Sequence, residues 1–266
     1  MAECGLLNLA SCIPQKFFEY LVSILNTPIK PLIGFIYNIL SEPINLQLFV
    51  SVWAIIIYTI SMFYAFLLIY SGFNFMISGY DPEKREQAKV WLRNVVIMII
   101  LVQASFFMYE LAIELSSVLT TATLSLIDNE FFLLTFNNLG DIGLSLIFLI
   151  VYLATLLLTS LILIIRYVFV AIGVVLFPVA IFLYFIPVLR QYGSLILNFL
   201  GVCIFVTFFD AIILIGFSKL LNVGIFANFK ILVMVAAFLV INLIMAFLML
   251  FSIVKGALSI YQKFKQ

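Results

Sequence analysis

The sequence has no histidine, only three cysteines, and charged side chains at just 9% of its 266 positions. Without imidazole, and with so few thiols, it argues against a metal centre built on those ligands. It contains no glycine-rich phosphate loop and no nucleophile elbow. An enzyme is therefore not expected, and neither is a bound cofactor or metal. The formal net charge of +1 gives no footprint for a nucleic-acid partner. Cys4 and Cys12 suit a disulfide if the amino end faces an oxidising space, and three separate thiols fit equally well. No basic stretch precedes an apolar core in Met1 to Cys12, so a cleavable signal peptide is not expected.

What fills the sequence instead is apolar. Hydrophobic residues make up 66% of it, and its mean hydropathy is +1.32. A soluble domain carries roughly 25% charged residues. So much apolar surface does not fit inside one water-soluble core of this size, whereas lipid is a solvent for it. The expected fold is all-α, a polytopic transmembrane bundle of five or six spans. Residues 1–45 are expected to form an outer-side interfacial segment, and residues 46–266 the membrane domain.

A span needs about 20 mostly apolar residues. The first is expected at Gln47 to Ile77. Asp81 then makes a helix N-cap, with Pro82 at the first helical position and Glu83 in the first turn. No breaker follows, so this helix is expected to run to about Thr120, with Val95 to Leu119 in the membrane. Ile142 to Ile165 should be the third span, ending at Arg166. Ser194 to Ser218 and Ile231 to Val254 are expected to span as well.

Between Arg166 and Arg190 lies an uncharged run, Tyr167 to Leu189, with Pro178 and Pro187 as candidate breaks. If it spans, there are six spans. If it is re-entrant or lies in the interface, there are five, and more of the Lys and Arg residues fall on one side, which the positive-inside rule favours. The loop at residues 78–94 carries Lys84, Arg85, Lys89 and Arg93 and is expected in the cytoplasm. Asp128, Glu130 and Asp141 mark the opposite side, where the amino terminus also belongs. Near the amino end, Gln15 to Asn26 reads as an amphipathic helix that Pro28 and Pro31 should break. Leu32 to Leu40 is then a second interfacial helix.

Ionisable groups at membrane depth are the candidate functional residues, because an insertion cost of about 2.5–3.5 kcal/mol must be offset. Asp210 is the deepest. It suits either a polar pathway, with Arg166 as a candidate partner, or a hydrogen-bonded structural role between helices. Glu110 and Glu114 share one helix face near the outer end of the second span, as an acidic rim or as a wetted interface. Arg166 and Arg190 fit headgroup anchors. Lys84, Arg85, Lys89 and Arg93, interleaved with Glu83 and Glu86, fit a cytoplasmic docking surface or a solvated turn better than a nucleic-acid patch.

Two stretches carry a family resemblance. One is Ser78 to Thr120, SGYDPEKREQAKVWLRNVVIMIILVQASFFMYELAIELSSVLT, a charged helix running into a span. The other is Gly173 to Gly201, GVVLFPVAIFLYFIPVLRQYGSLILNFLG, where Pro178, Pro187 and Arg190 precede a new apolar helix. Together they resemble the TrbL-like polytopic subunits of type IV secretion and conjugation machines, including those of the archaeal Ced system for DNA exchange. The resemblance extends over about Gln47 to Gln266. It implies a multi-pass subunit of the cell membrane that passes DNA, in the Ced case importing it into the recipient. It also implies oligomers, small pilin-like membrane proteins as partners, and a hexameric membrane-associated ATPase to supply energy. The family provides no catalytic residues to carry over. The competing expectation from the residues alone is a secondary transporter of a small solute or ion, built around Asp210 and the proline-broken run. A scaffold without a passage of its own is the third.

Overall fold

The computed structural model describes residues 9–127, 129–133, 142–223, 226 and 229–264. Among these the chain is all-α, with no strand. The helices are α1 (Leu9–Ser41), α2 (Val50–Ile77), α3 (Pro82–Gln103), α4 (Ser105–Leu124), α5 (Ile142–Phe185), α6 (Arg190–Leu220) and α7 (Lys230–Phe264), with short 3₁₀ turns at Leu46–Phe49, Ser78–Tyr80 and Asn129–Phe132. Four stretches are long and apolar enough to cross a membrane: Leu46–Ile77, Ile147–Phe185, Arg190–Leu220 and Lys230–Leu258. The pair α3 and α4, bent by 61°, makes a fifth if it crosses as one broken span. The chain has the character of a multi-pass membrane protein.

The outer surface gives the same answer. On α2, Ile55, Tyr58, Met62, Phe66, Ile69 and Phe73 are all exposed. An apolar face of that extent needs lipid or a partner rather than water.

Asp81 caps α3 as its residue type demands: its carboxylate accepts from the backbone N–H groups of Glu83 and Lys84, and Pro82 sits in the first turn. The uninterrupted helix expected to Thr120 is not found. It stops at Gln103, and α4 restarts at Ser105. Neither proline nor glycine stands there. The break coincides with a contact from another helix, because the Trp53 indole N–H donates to the Ser105 hydroxyl at 3.0 Å. The bond is to the Ser105 side chain, and the backbone bonds from Ala104 N–H to the Ile100 carbonyl and from Met108 N–H to the Ala104 carbonyl persist at the bend, both at 3.0 Å.

Two further expectations fail through proline. Pro28 and Pro31 do not break α1, which runs as one helix through both. Both are exposed, so the carbonyls they leave without an N–H donor belong to an accessible helix face. Nor does Pro178 break the run after Arg166. It lies inside α5, which is 44 residues long and carries Tyr167 to Phe185 as its second half. Helix interiors in lipid tolerate proline because the freed carbonyl is shielded or re-satisfied locally, while a non-helical backbone there would be left unpaired. The run is thus neither a sixth span nor a re-entrant segment. Only Pro187 lies at a break, in the turn where the Leu189 N–H bonds the Ile186 carbonyl before α6 begins.

The chain divides into two compact units. The first comprises residues 1–42, 118–164 and 207–246, and the second 43–117, 165–206 and 247–266. In the first, Tyr152 and Phe238 are fully buried, with ring centroids 5.9 Å apart. The Tyr152 hydroxyl donates to the Phe132 carbonyl, and the Asn242 side-chain amide donates to the Thr155 carbonyl at 3.3 Å. In the second, one core gathers Tyr109, Ile113, Val170, Val174, Leu200 and Ile204. Another gathers Ile57, Ile60, Val95, Met98, Val102 and Ile181.

Candidate functional site

Within the second unit, Arg166 is buried at 6% exposure near the middle of α5. It does not end a span, and the headgroup role expected for it is corrected. Its Nε donates to the Cys203 carbonyl at 2.7 Å and its Nη2 to the Ile204 carbonyl at 3.2 Å, both on α6. Ser116 on α4 donates to the same Ile204 oxygen at 2.7 Å. Tyr109, also on α4, donates to the Val170 carbonyl of α5 at 2.7 Å. A helix carbonyl has a second lone pair beyond the one its own ladder uses, so Cys203 holds the charged donor without unwinding α6, while at Ile204 the Arg166 and Ser116 donors share that second lone pair. This node clamps α4, α5 and α6 together. Gly173 belongs to it too: a Cβ there would collide with the Tyr109 hydroxyl and come within 2.6 Å of Leu200 Cδ2.

The other open geometry of the second unit is a run of three adjoining cavities at one end of its helices. The first, about 570 Å³, is lined by Arg190, Ser194, Asn198, Ser252 and Lys255 among others. The second, about 450 Å³, shares Tyr184, Arg190 and Gln191 with it and adds Trp91, Asn94 and Pro187. The third, about 660 Å³, shares Trp91 and Pro187 and adds Lys84, Gln87 and Asn74. The cations are Lys84, Arg190 and Lys255, the remaining polar groups are neutral, and no carboxylate lines any of the three. The Arg190 guanidinium lies 5.0 Å from the Tyr184 ring centre, and its Nη2 donates to the Tyr184 hydroxyl at 3.2 Å. Arg190 is exposed at the start of α6, a position that suits the anchor expected of it.

Compared with protein-family models, curated proteins and solved structures, the chain matches none.

Of the residues singled out in the sequence, Lys84, Pro187 and Arg190 come together along these cavities. Arg85, Lys89 and Arg93 are exposed on α3, where Lys89 pairs with Glu86 at 3.5 Å and Arg85 lies 5.9 Å from the Phe75 ring centre. Lys84 also lies 3.6 Å from Asp81. Glu110 is half-buried and Glu114 exposed on α4, away from the cavities. Asp210, at 0% exposure on α6, belongs to the first unit and Arg166 to the second. Cys203 is a free, buried thiol, and the pairing of Cys4 with Cys12 lies outside the described residues.

Lys255, Ser252, Trp91, Tyr109 and Ser116 were not singled out by the sequence. Lys255 follows a long apolar run, with no motif around it. Only its partnership with Arg190, far away in the chain, gives it a place. Tyr109 sits beside Glu110, but nothing local marks a tyrosine whose acceptor lies on another helix.

Proposed function

We propose that this protein is a multi-pass membrane subunit of a type IV secretion-like DNA transfer machine, acting in DNA import across the cell membrane. The observation that carries the reading is the carboxylate-free lining of the three adjoining cavities, with Lys84, Arg190 and Lys255 as their charged groups. A polyanion's path excludes exposed carboxylates and favours cations. Glu110 and Glu114, the acids of α4, line none of the three, although Glu114 is exposed. The family resemblance of Ser78 to Thr120 and Gly173 to Gly201 supplies the kind of polyanion. In this reading the loop at residues 78–94 and the end of α7 face the cytoplasm, where a hexameric ATPase supplies energy and pilin-like membrane proteins complete an oligomeric machine.

The test is transfer of a chromosomal marker between cells, with the gene deleted in donor or recipient separately. Loss of transfer only from the recipient deletion is expected. Unchanged transfer in both arrangements, with the deletion verified, overturns the reading.

A second reading, coupled transport of a small solute or ion, draws on the full burial of Asp210 inside an apolar helix. Buried acids at membrane depth are the usual currency of such coupling. Proton- or sodium-driven uptake abolished in Asp210→Asn would favour it over DNA import.

A further inference from the structure

The cavity holding both Arg190 and Lys255 has a composition that the DNA reading does not explain. Its cations sit at the ends of two helices, Arg190 at the first residue of α6 and Lys255 toward the end of α7. Between them stand neutral hydrogen-bonding groups, Ser194, Asn198 and Ser252. Farther along the same helices the lining becomes apolar, with Val202 on α6 and Leu248 and Phe251 on α7. Val202 lies 12 residues beyond Arg190, roughly 18 Å along the helix. The cavity is thus cationic toward one end of the two helices and more apolar farther along them.

Ser252 is a second, independent observation. It is 9% exposed, and its hydroxyl has no hydrogen-bond partner among the described residues. A buried hydroxyl left unpaired costs about 1–3 kcal/mol, so a native structure usually provides it with a partner. Here it lines the cavity that also holds two cations. Gly256 lets α7 lie close enough to α6 for this, because a Cβ there would run into the side chain of Leu195.

We propose that this cavity is a binding site for the phosphate headgroup of an anionic membrane lipid. Arg190 and Lys255 neutralise the phosphate, Ser252 donates to one of its oxygens, and the more apolar part takes the beginning of an acyl or isoprenoid chain. Arg190 is already oriented by the Tyr184 hydroxyl and ring, so little freedom is lost on binding. With lipid in this cavity, a DNA path is left to the two adjoining cavities, which Lys84 and Arg190 line. A free phosphate would leave the apolar half empty, and a DNA strand would leave that half against a polar sugar.

The experiment is native mass spectrometry of the full chain in detergent, titrated with phosphatidylglycerol and, separately, phosphatidylcholine. Inorganic phosphate and a single-stranded oligonucleotide serve as competitors. Retention of phosphatidylglycerol over phosphatidylcholine is expected. Arg190→Gln and Lys255→Gln should each weaken it about fivefold and the double variant about 30-fold, at about 1 kcal/mol per cation. Both side chains are exposed, so folding is not at risk. Lys219→Gln, at the other end of α6, should leave retention unchanged. Equal retention of the two lipids, or of wild type and double variant, overturns the proposal. So does displacement of the lipid by phosphate or by the oligonucleotide at matched concentration, which would assign the cavity to a free anion or to a nucleic-acid strand.

Discussion

Arg166 on α5 and Ser116 on α4 donate to one atom, the carbonyl oxygen of Ile204 on α6. Three helices of the second unit therefore converge on a single backbone acceptor. A charged donor there is worth more than a neutral one, so the two should differ when removed. Arg166→Met is expected to cost about 1.5–3 kcal/mol and Ser116→Ala about 0.6–1.7 kcal/mol. Thermal unfolding in detergent measures both. The double variant should lose less than the sum, because the pair shares its acceptor. Strict additivity would mean that the two bonds act independently.

Gly173 and Tyr109 form a steric pair. Gly173→Ala places a methyl group against the Tyr109 hydroxyl and Leu200, and overpacking of this kind costs about 1–3 kcal/mol. Tyr109→Phe alone gives up the bond to the Val170 carbonyl. In the Gly173→Ala background that same change removes the atom nearest the clash, so its cost should shrink or vanish. A Tyr109→Phe penalty of equal size in both backgrounds would show that α5 simply shifts to admit the methyl.

The kink between α3 and α4 lies beside the Trp53–Ser105 hydrogen bond, and that bond is expected to hold it. In a Trp91→Phe background, Trp53 is the remaining tryptophan and reports on its own surroundings. Ser105→Ala should move its emission to shorter wavelength as the indole N–H loses its partner, and should cost about 0.6–1.7 kcal/mol. Unmoved emission would place the cause of the kink elsewhere.

Pro28 and Pro31 interrupt the hydrogen bonding of α1 without ending it. Replacing each with alanine supplies the missing N–H, facing the Ile24 and Thr27 carbonyls respectively. Alanine is better than proline in a helix interior by about 3 kcal/mol. Hydrogen exchange of the amides in α1 should slow in both variants. Unchanged or faster exchange would mean that the proline rings hold this helix through packing.

The proposed orientation has a parity consequence. Between Glu86 on α3 and Lys255 on α7 lie the bent α3–α4 pair, α5, α6 and α7. If the pair crosses once, four crossings return the chain to the side it left. Cysteines placed at Glu86 and Lys255, in a background lacking Cys4, Cys12 and Cys203, should therefore react with an impermeant maleimide from the same, cytoplasmic side. Labelling from opposite sides would show that the bent pair turns back instead of crossing.

Much of the fold was legible because it depends on local chemistry. Composition alone demands lipid, since the apolar residues outnumber what a core of this size can hide. The cap at Asp81, the bounds of α2 and α6 and the start of α7 follow from a cap residue, a charge or the end of an apolar run, each read within a few residues, whereas α7 runs on past Val254 to Phe264. The interruptions were read poorly. Pro28, Pro31 and Pro178 suggest breaks on grounds that hold in water, where an unpaired backbone can bond to solvent. In lipid it cannot, so α5 persists through Pro178 and Arg166 ends up inside it rather than at its end, while in α1 the carbonyls freed by Pro28 and Pro31 lie on an exposed face. The bend at Ala104 has no proline or glycine to announce it, and the contact found beside it comes from a tryptophan on another helix.

The sequence by itself determined that this is an all-α membrane chain, where most of its apolar helices lie, and that it holds no histidine-based chemistry. Those properties reside in residue type and short-range order. Only the tertiary structure decided that Arg166 is held by α6 carbonyls, that Gly173 makes room for Tyr109, and that Arg190, Lys255 and Ser252 line one cavity. Each joins side chains far apart in the sequence, and packing between helices sets those distances while leaving no periodicity for the sequence to display.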